Sequence, residues 1–477
     1  ERQPSPPRWP SDALAMTVAA LALRFAVVAW GASRFPPAGD GEYYHIVAGR
    51  IARGLGYTWL WPDGAVTYAA HYPIGYPALI GMLYAAFGEK PVWAMVLNAV
   101  AGASIVYSVH RIASRFAGRW AVLTVAAIAA VHPTFVFYTP ALMTEQISAA
   151  LCIAAVALAL SETRTRRSLV LTAIGVAVLI GIATLVRPQQ LLFAPFLGVL
   201  LALRARVSLI GRTPERAWLR AVVLLALVTS VSLGVCLPWT LRNCERMGQC
   251  VFVSANAGWN LLIGTSPRGD GAWVSIDSIG VPSECRTVYA EAAKDTCFGE
   301  AALQRIKHEP TAWLALVPAK LKKTFDDVGA PGWYLNTSDW HHFDDRAKVA
   351  LGSAEVIFQR VSVLFGLVGL MRIRGSGRPL RVAVVSLAIG CLFYTYAWAS
   401  ILLLCLAVAS LGKRLLKEPL YLCLGFAYGS TALVHAVFFG GARYSIVVMP
   451  LMLAAMCRAW PNGWTNQSVQ SLARPSS

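Results

Sequence analysis

Apolar runs of roughly bilayer length recur along this chain, parted by short polar connectors. They predict helices at Ala13–Gly31, Pro91–His110, Trp120–Phe137, Ala141–Leu160, Leu169–Val186, Leu191–Leu203, Ala221–Trp239, Ser353–Met371, Leu380–Ala397, Ser400–Leu411, Leu420–Phe439 and Ser445–Met456. The pattern is that of an all-α polytopic membrane bundle of about 12 transmembrane helices. One more apolar stretch, Tyr72–Phe87, has to be placed by charge. The basic connectors are Arg111, Arg115 and Arg119; Arg164, Arg166 and Arg167; Arg204, Arg206, Arg212, Arg216 and Arg220; Arg372, Arg374, Arg378 and Arg381; and Lys413, Arg414 and Lys417. They fall on one side only if Tyr72–Phe87 does not cross, so it reads as a juxtamembrane helix and both termini as cytoplasmic.

Its leader, Glu42–Gly54, supports this placement. Tyr44, Val47, Ala48 and Ile51 form a stripe at helical spacing with Glu42, His45, Gly49 and Arg53 opposite, as in a helix lying on a membrane surface. The expected organisation is a polar tail at residues 1–12, an N-terminal membrane module at 13–239 with a first outer loop at 32–90, a large outer loop at 240–351, C-terminal membrane helices at 352–460 and a tail at 461–477. The first apolar run, with no small-residue cleavage site after it, reads as an uncleaved signal anchor.

Composition sharpens the picture. The 477 residues are 57% hydrophobic and only 14% charged, which excludes an ordinary soluble protein. A net charge of +18 would suggest nucleic acid in a soluble chain, but here the basic residues sit in the connectors, so nucleic acid is not an expected partner. Cys244, Cys250, Cys285 and Cys297 lie in the large outer loop, on a face expected to be oxidising. Local pairing, Cys244 with Cys250 and Cys285 with Cys297, closes the shortest loops, and neither spacing suits a zinc ribbon.

Acidic groups are scarce, which makes Asp40 and Glu42 in Gly39-Asp-Gly-Glu-Tyr-Tyr44 conspicuous just beyond the first span. One carboxylate there can take a proton from an acceptor hydroxyl while the other holds the acceptor or a divalent ion; alternatively Asp40 is a turn residue or helix cap. Glu145, Arg187, Arg242 and Arg443 lie at helix ends on the same face. Arginines beside a carboxylate at that depth suit a lipid-linked phosphate, although snorkelling to headgroups is their commoner role. Tyr43, His71, Tyr72 and Tyr444 flank these groups and are candidates to line a donor or acceptor pocket. Arg24 falls mid-span and requires a partner or a wet cavity, while His341-His-Phe-Asp-Asp345 reads as solvated loop rather than a metal cluster.

These residues join into an ordered series. The first-loop acids are followed by Tyr72-Pro-Ile-Gly-Tyr-Pro77, Leu142-Met-Thr-Glu145, Leu185-Val-Arg-Pro188, Pro238-Trp-Thr-Leu-Arg-Asn243, Asn260-Leu-Leu-Ile-Gly264 and Arg443-Tyr444 with Pro450. From about Ala13 to Met456 the chain resembles the GT-C membrane glycosyltransferases, and within them glycosyltransferase family 39 and its bacterial relatives, the protein O-mannosyltransferases and lipid A aminoarabinose transferases. The resemblance implies a polyprenyl-phosphate-linked sugar donor, transfer with inversion, and an extracytoplasmic site in a membrane such as the bacterial inner membrane. It makes Asp40 the expected base, Arg187, Arg242 and Arg443 the donor-phosphate residues, and Glu42 and Glu145 the residues that position the acceptor or a divalent cation, Mg or Mn. Many relatives have the two acids adjacent, whereas Gly41 separates them here. Membrane lipids and an acceptor lipid, glycan or protein are the expected partners. A polysaccharide polymerase or ligase and a lipid-sugar flippase are the rival readings; flippases favour coupling acids inside the spans, whereas Asp40 and Glu42 lie outside them.

Overall fold

The computed structural model describes residues 10–205, 217–266, 269–375, 377–394 and 396–460. Most of the expected N-terminal tail, the whole C-terminal tail, and Arg206, Arg212 and Arg216 lie outside the described residues. The first part of the chain forms α1 (Pro10–Gly31), α2 (Asp40–Ala52), a hairpin of β1 (Thr58–Leu60) and β2 (Val66–Tyr68), α3 (Gly75–Phe87), α4 (Val92–Ala113), α5 (Arg119–Val131), α6 (Pro133–Phe137), α7 (Glu145–Ala159), α8 (Arg166–Val186), α9 (Phe193–Arg204) and α10 (Ala217–Arg246). Short helices follow in the large loop: α11 (Ala257–Gly264), α12 (Ile276–Ile279), α13 (Ser283–Arg286), α14 (Glu291–His308), α15 (Pro310–Ala315), α16 (Val317–Phe325) and α17 (Ala330–Ser338). The chain returns through α18 (Asp345–Met371), α19 (Arg378–Phe393), α20 (Ala397–Ala409), α21 (Pro419–Val437) and α22 (Met449–Ala455).

The protein is a helical multi-pass membrane protein. Among the described residues six helices, α1, α4, α8, α10, α18 and α21, are long and apolar enough to cross a bilayer. Each of the other expected spans also coincides with apolar helix, but several are shorter or broken, and local chemistry explains where. Trp120–Phe137 is interrupted because Pro133 lacks an N–H and pushes His132 out of helical geometry, to φ −56° and ψ 119°. Ala141–Leu160 is helical only from Glu145 onward: the carbonyls of Thr139 and Ala141 accept from Asn98 Nδ2 at 3.2 and 2.6 Å, and Ala141 C=O also accepts from Met143 N–H at 2.8 Å, a turn tighter than a helix. Leu191–Leu203 starts with a 3-10 turn after Pro188, and Ser445–Met456 is a 3-10 turn followed by α22. The helices expected around Glu42–Gly54 and Tyr72–Phe87 form as α2 and α3, which pack against one another.

Lipid tails are as apolar as leucine, so helices in a bilayer cohere through close approach at small residues. A Cβ on Gly181 of α8 would fall 2.6 Å from the Cβ of Val235, and one on Gly198 of α9 would fall 2.6 Å from the Cα of Leu225, so α10 lies tightly against both. Gly102 of α4 leaves its side-chain space to the guanidinium of Arg24. That fully buried arginine donates through Nη1 to the carbonyls of Ala20 and Ala130 at 3.0 and 3.1 Å, while its Nε and Nη2 have no partner.

The large loop builds a small helical unit around Leu262, Ile263, Val281, Cys285 and Phe298, and Phe439 from the link after α21 completes this core. Cys244 is bonded to Cys250 and Cys285 to Cys297. A backbone junction ties the unit to the same link. Gly440 N–H donates to Gly271 C=O at 2.8 Å, and Lys320 Nζ donates to the carbonyls of Ala436 and Val437, the last turn of α21. The loop therefore anchors the segment that carries Arg443. The expected histidine–aspartate stretch has a structural job: Asp344 accepts from Ala347 N and caps α18, while His342 pairs with Asp339 at 3.0 Å.

Candidate active site

Two carboxylates stand at helix N-termini, where free N–H groups and the helix dipole favour negative charge. Asp40 opens α2 and Glu145 opens α7. Arg187 occupies the opposite kind of position, the C-cap of α8, where Pro188 ends the helix and a cation is favoured. Arg443 comes from the link between α21 and α22.

These four residues form one chain of alternating charge. Arg443 Nη1 donates to Asp40 Oδ2 at 2.5 Å, and its Nε lies 3.7 Å from Glu145 Oε1. The same Glu145 oxygen accepts from Arg187 Nη1 at 2.5 Å, and its other oxygen accepts from Tyr138 at 2.7 Å. Arg187 also donates to Thr144 Oγ1. Tyr72 closes the far end by donating to Asp40 Oδ1 at 2.8 Å. The ring of Tyr444 lies 5.3 Å from Arg187 and 5.4 Å from Arg443, with His435 stacked on it at 4.1 Å.

Burial alone would push the Asp40 carboxyl up, but the charge and hydrogen bond of Arg443 and the hydrogen bond from Tyr72 outweigh it and hold the group below the usual carboxylate range. Burial, with the Asp40 charge adding to it, raises the Tyr72 phenol, which stays a neutral donor. Asp40 therefore rests as an anion with one partner on each oxygen. Glu145 is fully buried and sits between the two arginines.

The glycines flanking Asp40 are dictated by geometry. Gly39 adopts φ +54° and ψ −130°, a region glycine alone takes at low cost. A Cβ on Gly41 would fall 2.7 Å from Tyr334 Oη and 2.9 Å from the carbonyl oxygen of Leu142, so the residue separating the two acids is where α2 presses against α17 and the run before Glu145. Gly41→Ala is accordingly expected to shift Asp40 and lower turnover by about a hundredfold, the scale of a 1 Å misplacement, which a transfer assay on folded protein will read.

Other expected site residues lie elsewhere. Glu42 is exposed and takes no part in the charge chain. Arg242 donates to the carbonyls of Tyr57 and Ala69 at 2.7 and 2.8 Å, and its guanidinium lies among the rings of Tyr57, Tyr68 and Trp239. It clamps the β-hairpin of the first loop to α10 rather than joining Arg187 and Arg443. Tyr43 stacks on Trp59 and His71 packs on Tyr72, so both line the first-loop side of Asp40. Sequence reasoning missed Tyr138, Asn98 and Tyr334, none of which belongs to a readable motif, and gave no role to Thr144 within Leu142-Met-Thr-Glu145; Tyr138 bonds Glu145, Thr144 bonds Arg187, and Asn98 and Tyr334 hold the backbone around the two acids. The hairpin, also missed, had a signal in Trp61-Pro-Asp-Gly64 between two β-favouring triplets.

Among the described residues no group of three His, Cys, Asp or Glu side chains could hold a metal ion, and the donor set around Asp40 does not suit one because Arg443, itself a cation, stands against both carboxylates.

Residues 71–233 match the family model of dolichyl-phosphate-mannose-protein mannosyltransferases. That segment holds Tyr72, Glu145 and Arg187, while Asp40 and Arg443 flank it. No curated protein matches the chain. Among solved structures it is similar to the archaeal oligosaccharyltransferase AglB from Archaeoglobus fulgidus in complex with an inhibitory peptide and a dolichol-phosphate, with 12% identity, TM-score 0.45, and 94% of this chain and 50% of that one covered. It is also similar to ArnT from Cupriavidus metallidurans bound to undecaprenyl phosphate, with 15% identity, TM-score 0.39, and 93% and 77% covered. The chain thus spans half the length of the archaeal enzyme.

Proposed function

We propose that this protein is an inverting membrane glycosyltransferase that moves a sugar from a polyprenyl-phosphate donor to a hydroxyl of a lipid, glycan or protein acceptor. The observation that carries this reading is the charge chain Asp40–Arg443–Glu145–Arg187: a carboxylate at one end and two guanidiniums on a buried acid beside it. The family match over residues 71–233 supports the donor class. Asp40 takes the acceptor's hydroxyl proton as the acceptor oxygen bonds to the anomeric carbon. The bond from that carbon to the phosphate oxygen breaks with inversion, and the electron pair leaves on the polyprenyl phosphate, whose charge Arg443 and Arg187 stabilise. Tyr444, touched by both guanidiniums, walls the donor side.

A carboxylate held below its usual range is a poor base, and the same arginine that depresses Asp40 is the one a phosphate would recruit. Donor binding then draws Arg443 from Asp40 towards the phosphate and restores the basicity of Asp40, so the base is fully active only with donor in place. This has a sign that kinetics can read. The acid limb of kcat/KM, set by the free protein, is expected below the ordinary aspartate range, because activity is lost only as pH falls through the depressed value. The limb of kcat, set by the donor complex, should lie about one pH unit or more higher. Coincident limbs would contradict the exchange of Arg443 between carboxylate and phosphate.

A further inference from the structure

The end of the bundle remote from Asp40 holds a second concentration of guanidinium groups. α21 links the two ends: its last turn adjoins the segment carrying Arg443, and its first follows Glu418 and the 3-10 turn Gly412–Lys417, 19 residues or about 28 Å away. Arg381, in the first turn of α19, is 0% exposed. Its Nη2 donates to the Ile373 carbonyl, yet its Nε and Nη1 have no partner. The charges of Arg414 and Arg378 bear on it and oppose its own. The carboxylate that bears on it, Glu418, is already bound to Arg458 at 3.3 Å. Arg414 reaches over the loop at Gly375, whose φ of +131° and missing side chain leave it room.

Buried N–H donors without acceptors, beside two like charges, are costly unless an anion completes the group. We propose that Arg378, Arg381 and Arg414 bind a phosphate group, and that its source is the headgroup of an anionic lipid. A tetrahedral phosphate offers oxygens to several guanidiniums at once, and basic pockets between membrane helices recognise lipid headgroups in this way. Surface character argues for lipid over the free anion: Leu380, next to Arg381, and Leu387, two turns further along the same side of α19, are 63% and 60% exposed, an apolar face along which acyl chains can lie.

The test is native mass spectrometry of the purified full chain, titrated with phosphatidylglycerol or with phosphatidylcholine of the same acyl chains. Phosphatidylglycerol is expected to bind roughly tenfold more tightly, and Arg414→Gln, at an exposed position that folding tolerates, to remove that preference. Arg381→Met should act alike. Displacement of phosphatidylglycerol by millimolar inorganic phosphate would overturn the lipid source and assign the site to the free anion. Equal binding of the two lipids, or a preference untouched by either substitution, would overturn the site itself.

Discussion

Asp40→Asn is expected to yield a folded protein whose turnover falls about a hundred- to ten-thousandfold while donor binding holds or strengthens. The asparagine keeps the shape and can still accept from Tyr72 through its oxygen. What it loses is the negative charge, and with it both the base and the competitor for Arg443. A purely structural Asp40, capping α2 and no more, would give the opposite pattern: a small loss of stability, near-normal kcat and unchanged donor affinity. Steady-state transfer with separate measurement of polyprenyl-phosphate affinity distinguishes the two.

Glu145→Ala should be damaging in a different way. Glu145 is fully buried and accepts from Arg187 and Tyr138, with Arg443 close by. Removing one partner of a buried pair strands the other, at a cost of about 3–5 kcal/mol. Unlike Asp40→Asn, this change is therefore expected to lower the thermal unfolding midpoint in detergent as well as to abolish transfer. Glu145→Gln, which can still accept hydrogen bonds, should recover much of the stability and little of the activity, because the charge that sets the two arginines is gone. An unfolding midpoint unmoved by the alanine would mean that Arg187 finds another acceptor.

Much of the helical layout was legible because apolar length and basic connectors are local properties of a membrane chain. Where the layout differed, a residue outside the periodicity stands at the break: Pro133 broke one span, and the Asn98 side chain binds the carbonyls before Glu145, where the chain is not helical. The site shows the limit more sharply. Arg443 and Asp40 meet across 403 residues, and no spacing rule distinguishes Arg443 from Arg242, since both are arginines at helix ends on the same face. The hairpin that captures Arg242 through the Tyr57 and Ala69 carbonyls makes the difference, and that capture is a tertiary contact. The Asp40-Gly-Glu42 spacing is the reverse case. Its unusual glycine was visible at once, but its reason, the approach of Leu142 and Tyr334, lies in residues far along the chain.

The measurement closest to the central claim follows purified protein in sealed vesicles supplied with a radiolabelled sugar on polyprenyl phosphate and an envelope extract as acceptor. Sugar should appear on an acceptor in equal amount with free polyprenyl phosphate, with the anomeric configuration inverted and both products absent for Asp40→Asn. Movement of intact donor across the vesicle membrane without release of polyprenyl phosphate would contradict the account and make the protein a transporter.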